Sequence, residues 1–199
     1  SNTAGALFYT ISEVESSMQY QKTITLRDGM PCVLRGAGAN DAEQVLRSFT
    51  LTHAQTDFLL TYPEENSLTV EDERNYLAES AASPNSIEIC AAIDGEVIGT
   101  AGISAVGNKI KLRHRAEFGI SIDRAYWGRG IGRALTEACI ECAKAAGYTQ
   151  LELDVVAENT AARMLYERVG FTEYGRNPRG FRTRSGAWQE LILMRLELD

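Results

Sequence analysis

The run Trp127-Gly128-Arg129-Gly130-Ile131-Gly132 constrains this chain more than any other stretch. It follows Ala116 to Ile122, which reads as a strand, and leads into Ile131 to Ala146. There Ile131, Leu135, Ala138 or Cys139, Cys142 and Ala146 recur on one helical face. Glycines at alternate positions let the backbone turn tightly and approach a ligand closely. The free N–H groups of the first helical turn then point at that ligand, and with the helix dipole they form an anion site suited to phosphate or pyrophosphate. The dinucleotide fingerprint G-x-G-x-x-G does not fit, because the third glycine comes one residue early, and the P-loop pattern is absent. Taken alone, the glycines leave two readings open: an anion site, or a helix entry that needs glycine for packing.

The elements around this loop define one mixed α/β domain. Ile24 to Leu26 and Met30 to Leu34 flank Asp28-Gly29, a hairpin signal. Helices are expected from Asp41 to about Thr56 and from Thr69 to Ala82, the second opening on a capping threonine followed by carboxylates. Ser86 to Ile93 and Val97 to Ala105 form a second hairpin about Asp94-Gly95. After the long helix and its stop at Gly147, Leu151 to Val156 alternates as a strand. A short helix follows on the N-cap Asn159 and ends at Gly170. Phe171 to Gly175 and Trp188 to Leu198 close the chain as strands, with Asn177 to Gly186 as a basic connection. Strand–helix–strand in the middle implies parallel pairing and the hairpins imply antiparallel pairing. Residues 1–21 read as a flexible or loosely docked arm, with Ser1-Asn2 a remnant of a cleaved tag, and 22–199 as the domain.

Composition excludes several function classes. A chain of 199 residues with 44% apolar and 24% charged residues is an ordinary globular domain. Its net charge of −7 is unsuited to a general phosphate-backbone binder, so nucleic acid is not an expected partner. No apolar run reaches the ~20 residues of a membrane helix, and no basic-then-apolar leader precedes the domain, so a membrane is not expected either. Cys32, Cys90, Cys139 and Cys142 read as free thiols in a reducing cytoplasm. Cys139-x-x-Cys142 lies on the apolar helix face without a second pair, which favours core packing over a metal or redox site.

Two longer stretches resemble a known family. Glu117-Phe118-Gly119-Ile120-Ser121-Ile122-Asp123, followed by Tyr126-Trp127-Gly128-Arg129-Gly130-Ile131-Gly132-Arg133-Ala134-Leu135, is similar to the acetyl-CoA motif of the GCN5-related N-acetyltransferases. Asn159-Thr160-Ala161-Ala162-Arg163-Met164-Leu165-Tyr166-Glu167-Arg168-Val169-Gly170-Phe171 resembles that family's second motif. In element order the resemblance runs from about Pro31 to Leu198, and it is specific from Glu117 to Phe171. Trp127 departs from the family's usual glutamine or arginine.

The resemblance implies a single mixed, mostly antiparallel sheet flanked by helices, with one parallel strand pair that splays apart to admit acetyl-CoA. The pantetheine arm would pair with open backbone at Ile120, Ser121 and Ile122. The pyrophosphate would lie on Gly128, Arg129, Gly130, Ile131, Gly132 and Arg133, and Asn159 would join the cofactor side. No metal is implied, because a thioester is already activated. Tyr166 is then the candidate acid for the departing thiolate, and Glu117 the candidate base for the amine. Each has a plainer reading: Tyr166 as a core residue on an apolar stripe, Glu117 as a strand charge paired with Arg113 or Arg115, and Arg129 and Arg133 as solvated side chains.

The expected activity is direct acetyl transfer from acetyl-CoA to a primary amine of a small molecule. The tail from Gly175 through Arg182 to Glu190-Leu191 resembles members that acetylate amino acids. Other relatives modify polyamines, antibiotics or protein N-termini, and the family often pairs into homodimers through its C-terminal strands. The rival from another class is a non-catalytic acyl-CoA-binding module, which would need neither Tyr166 nor Glu117.

Overall fold

Turn chemistry determines which strands meet. In the computed structural model, which describes residues 16–199, strand β1 (Gln21–Thr25) folds back on β2 (Pro31–Gly36) through Asp28-Gly29. Gly29 takes φ 87°, and Asp28 Oδ1 accepts from the Met30 N–H at 3.1 Å. Strands β3 (Ile87–Ile93) and β4 (Glu96–Ala105) meet across Asp94 and Gly95, at φ 50° and 81°. Two successive left-handed residues match the right-handed twist of the flanking strands.

Strand β5 (Arg115–Ile122) runs antiparallel to β4. Helix α3 (Ile131–Ala145) then crosses over and returns the chain as β6 (Gln150–Val156), parallel to β5. Numbered in chain order, α1 (Ala42–Ala54) and α2 (Val70–Ala82) lie between β2 and β3, and α4 (Thr160–Arg168) lies between β6 and β7 (Thr172–Arg182). Strand β8 (Trp188–Glu197) inserts between β6 and β7. The eight-stranded order is β1-β2-β3-β4-β5-β6-β8-β7, with β5–β6 the parallel pair. This is the expected mixed sheet.

Local signals account for the helix ends. Thr69 caps α2 reciprocally with Asp72, its hydroxyl accepting from the Asp72 N–H at 3.1 Å while Asp72 Oδ2 accepts from the Thr69 N–H at 2.8 Å. The Asn159 side chain accepts from Ala162 N–H at the start of α4. Helix α1 begins after a short 3-10 turn, Ala39–Asp41, rather than at Asp41 itself. Asp41 is instead held by a bidentate pair to Arg35, at 2.7 and 2.8 Å.

The helices cover both sheet faces. Ile131, Leu135, Ala138, Cys139 and Cys142 of α3 pack with Ile89, Ala101, Phe118, Leu151 and Met194 in the larger core. Ala42, Val45, Leu77 and Cys90 form a smaller core under α1 and α2. The four cysteines are free and buried, so the Cys139-x-x-Cys142 pair does serve packing.

Two segments differ from the sequence expectation. Residues 1–15 of the expected arm lie outside the described residues, but Met18 and Tyr20 pack against the larger core and Gln21 opens β1. The Met18 N–H also donates to Ser83 O at 2.9 Å. The basic connection is largely strand: β7 continues to Arg182 along β8, with a register shift between Asn177 and Phe181. Pro178 falls in that irregular stretch, where its missing N–H breaks no ladder bond.

Close approach of β4 to β5 depends on Gly99. A Cβ there would stand 2.8 Å from Ser121 O and 3.1 Å from Ile122 Cα, both backbone atoms. At Gly119 an added Cβ would meet nothing within 4 Å. Gly99→Ala is therefore expected to lose about 1–3 kcal/mol in urea unfolding through overpacking, whereas Gly119→Ala leaves the midpoint close to that of the unsubstituted protein.

Candidate functional site

Strands β5 and β6 pair only at Arg115↔Gln150, Ala116↔Leu151 and Glu117↔Glu152. Beyond that point β5 stays on β4 as far as Ile122↔Gly99, and β6 stays on β8 as far as Val156↔Leu191. Each strand is held by its outer neighbour, so the two part. The inner edge of β5 from Phe118 to Ile122 faces a cleft of about 1210 Å³ instead of a strand. Unpaired backbone groups on such an edge are available to an extended ligand that carries amides.

The vertex of the wedge is pinned by charge. Arg115 donates from Nε and Nη2 to the two oxygens of Glu152, both at 2.6 Å. That guanidinium holds the Glu152 carboxyl below its ordinary range despite burial. The pair answers one question left by the sequence: Arg115 is committed to Glu152, and Glu117 has no ion-pair partner among the described residues. Glu117 is exposed into the cleft, on the strand that carries the open edge.

The glycine loop closes the far end. Asp123 Oδ1 accepts from Ala125 N–H at 3.1 Å and from Gln55 Nε2 at 2.9 Å, and Gln55 Oε1 accepts from Arg124 N–H at 2.8 Å. The C-terminus of α1 is thereby clipped to the loop. The Trp127 indole donates to Ile122 O at 2.8 Å, so this residue braces the end of β5. Gly128 and Gly130 take φ 74° and 95°, conformations that favour glycine. They deliver the first turn of α3 to the cleft with its N–H groups free, the first intrahelical bond being Ala134 N–H to Gly130 O.

Most of the expected site residues meet here. Glu117, Ile120, Ser121, Ile122, Gly128, Gly130, Gly132, Arg133, Asn159 and Tyr166 all line the one cleft. Ile131 is buried in the core and offers only its backbone. Arg129 is the exception: its guanidinium reaches Asp28 at 3.1 Å, donates to Ala125 O and lies over the Tyr126 ring, away from the cleft. Arg133 lines the cleft while paired to Glu137 at 2.8 Å. Asn159 keeps its cap as well as its place in the wall.

Tyr166 is 6% exposed and packs edge-on to Phe118, with ring centroids 6.0 Å apart, and against Phe171 at 5.8 Å. No hydrogen bond to its hydroxyl is found among the described residues, and Tyr166 is among the residues that line the cleft. Burial pushes the phenol well above its ordinary value, so it stays protonated at neutral pH and is able to donate. The core and cleft placements of Tyr166 therefore coexist: the ring packs against Phe118 and Phe171, and the residue also lines the cavity.

Sequence reasoning missed several lining residues. Phe58, Leu59 and Leu60 come from the segment after α1, tied down where Gln189 Nε2 donates to Asp57 O at 3.1 Å. Tyr174 and Phe181 come from β7, and Arg27 reaches Gly128 O at 3.3 Å from the first hairpin. No local pattern marks them, because each arrives from an element distant in sequence. Among the described residues no group of three or more His, Cys, Asp or Glu is placed to hold a metal ion.

Comparison with known proteins agrees with this geometry. Residues 50–171 match the family described as "Acetyltransferase (GNAT) family". Mycothiol acetyltransferase from Beutenbergia cavernae is 28% identical over 190 residues, covering 83% of this chain and 63% of that protein. The chain thus spans less than two thirds of that relative's length. The L-amino acid N-acetyltransferase AaaT of Escherichia coli is 28% identical over 165 residues, covering 81% of this chain and 95% of that protein. An acetyltransferase of the GNAT family from Streptococcus pneumoniae superposes with a TM-score of 0.80 at 30% identity, covering 83% of this chain and 99% of that one.

The glycine loop gives a direct test. Gly130→Val places a β-branched side chain at φ 95°, where L-residues are strained, and in front of the helix N–H groups. Calorimetric titration with acetyl-CoA is expected to show at least tenfold weaker binding, about 1.4 kcal/mol, while circular dichroism shows a folded chain.

Proposed function

The chain belongs to the acetyltransferase (GNAT) family, and we propose that it transfers the acetyl group of acetyl-CoA directly to a primary amine of a small molecule. The observation that carries this reading is the parting of β5 from β6 after Glu117↔Glu152, with the glycine loop and the α3 N-terminus at the far end of the same cleft. An extended pantetheine arm fits the open β5 edge, and a pyrophosphate fits the free N–H groups of α3. The amino-acid class is supported by the likeness to AaaT, which covers nearly all of that relative.

The residues have separable tasks in this reading. Backbone around Ile120 to Ile122 orients the thioester, and preorganised N–H donors of the open edge stabilise the oxyanion that forms when the amine attacks. Glu117 takes the proton from the amine, directly or through a water. Tyr166 gives a proton to the CoA thiolate as the carbon–sulfur bond breaks, a task that suits a phenol protonated at working pH. Gly128, Gly130, Gly132 and the N–H of Ile131 hold the diphosphate, and Arg27 and Arg133 add positive charge beside it.

A thiol-release assay with acetyl-CoA and a panel of amines tests the activity: release that depends on the amine supports it. Binding of acetyl-CoA without release by any amine leaves a binding module instead. Tyr166→Phe separates the two within one residue. Turnover is expected to fall about 10²-fold or more, with the dissociation constant for acetyl-CoA nearly unchanged, because the ring still packs against Phe118 and Phe171. Unchanged kcat would remove Tyr166 from the chemistry.

A further inference from the structure

A second cavity, of about 410 Å³, lies on the sheet face covered by α1 and α2. It shares Leu59, Leu60 and the β5 segment from Glu117 to Ser121 with the main cleft, so the two adjoin along β5. Its floor is a cross-strand glycine pair, Gly102↔Gly119. A Cβ at Gly119 would meet nothing, whereas a Cβ at Gly102 would overlap Glu88 Oε2. The Glu88 side chain therefore leaves β3 and lies over Gly102 of β4, in the wall of the cavity.

Nothing in the cavity neutralises that carboxyl. Its lining contains no lysine or arginine. His53 from α1 is held neutral: burial lowers its ordinary value, and Nδ1 lies 2.9 Å from Phe49 O, a carbonyl that can only accept, so Nε2 is left as an acceptor. Tyr76 from α2 is pushed up and uncharged at neutral pH, and so is the Cys90 thiol on β3. Glu73 from α2, outside the lining and 6% exposed, has its own carboxyl pushed up by burial, and what charge it carries acts against that of Glu88. Glu117 stands at the junction with the main cleft. Burial and Glu73 together raise the Glu88 carboxyl to about 7, and the nearby Thr100 hydroxyl only partly offsets this. Partly buried carboxyls without a counter-charge disfavour the folded chain, and a bound cation relieves the cost.

We propose that this cavity binds a second ammonium group of the acceptor, so that the preferred substrate is a dicationic amine: one nitrogen is acetylated beside Glu117 while the other pairs with Glu88. The inference rests on the amine-acetyltransferase reading above and narrows its acceptor. Phe49, Leu59 and Leu60 supply apolar walls for the methylenes between the two nitrogens. Simple diamines and amino acids with a cationic side chain share this chemistry.

The test is binding to the full chain saturated with CoA, by calorimetry at pH 8, using cadaverine against pentylamine, which differ by the second ammonium. Cadaverine is expected to bind at least tenfold more tightly, and Glu88→Gln is expected to bring that ratio close to one. Equal affinities in the unsubstituted protein would overturn the proposal without recourse to a variant. So would a Glu88→Gln protein that keeps the ratio, or one that weakens both amines equally, since Glu88 would then act on the reacting nitrogen or on the fold. Because the readout is binding, failure of thiol release bears on the acetyltransfer reading, and failure of the ratio bears on the acceptor site. Norleucine against lysine repeats the comparison for amino acids with the same expected direction.

Discussion

The structure depends on an interruption of strand pairing. Strands β5 and β6 share three residue pairs and then separate, each retained by its outer neighbour. Continuous pairing would satisfy the backbone of both strands and leave no cleft. The interruption exchanges internal hydrogen bonds for a polar edge that a ligand can complete, and such a feature persists only when the surroundings determine it strongly. Here they do: Arg115–Glu152 fixes the vertex, α3 packs beneath, and Gln55 with Trp127 ties the loop at the open end.

The site also shows how one side chain can have a structural body and a chemical tip. Tyr166 belongs to the larger core through its ring and also lines the cleft. Asn159 begins α4 and lines the wall. In both cases the packing constraint positions the polar group, so that little freedom remains to be lost when a ligand arrives. The two sheet faces divide the remaining work. One is filled by α3 and α4 and carries most of the core. The other has the small residues Gly102, Ser104, Gly119 and Ser121 in a row under α1 and α2, and so keeps a hollow where acidic side chains gather.

Much of the fold was legible because its signals are local. Asp28-Gly29 and Asp94-Gly95 specify hairpins through left-handed residues, and Thr69, Asn159, Gly147 and Gly170 mark helix ends by capping chemistry. The loop from Gly128 to Gly132 and the run through Tyr166 carried enough pattern to place most of the candidate site. Errors arose where tertiary pairing overrode composition. Asn177 to Arg182 looks like a basic loop, yet most of it joins β7 because β8 offers a full-length partner. Arg129 reads from the sequence either as a phosphate contact or as a solvated side chain, and only the fold brings Asp28, about a hundred positions away in the chain, to its guanidinium.

What the sequence determined by itself was most of the elements, their order, the glycine-rich entry to the long helix, and a tyrosine and a glutamate as candidate site residues. Periodicity, capping and glycine conformation act over a few residues, so they can be read along the chain. Only the tertiary structure decided which arginine pairs with which carboxylate, how soon β5 leaves β6, and that Phe58, Tyr174 and Arg27 line the same cleft. It also placed Glu88 across Gly102, facing the cavity with no counter-charge. Those outcomes depend on which strands become neighbours and on where charges are left without water, quantities that exist only once distant segments have packed together.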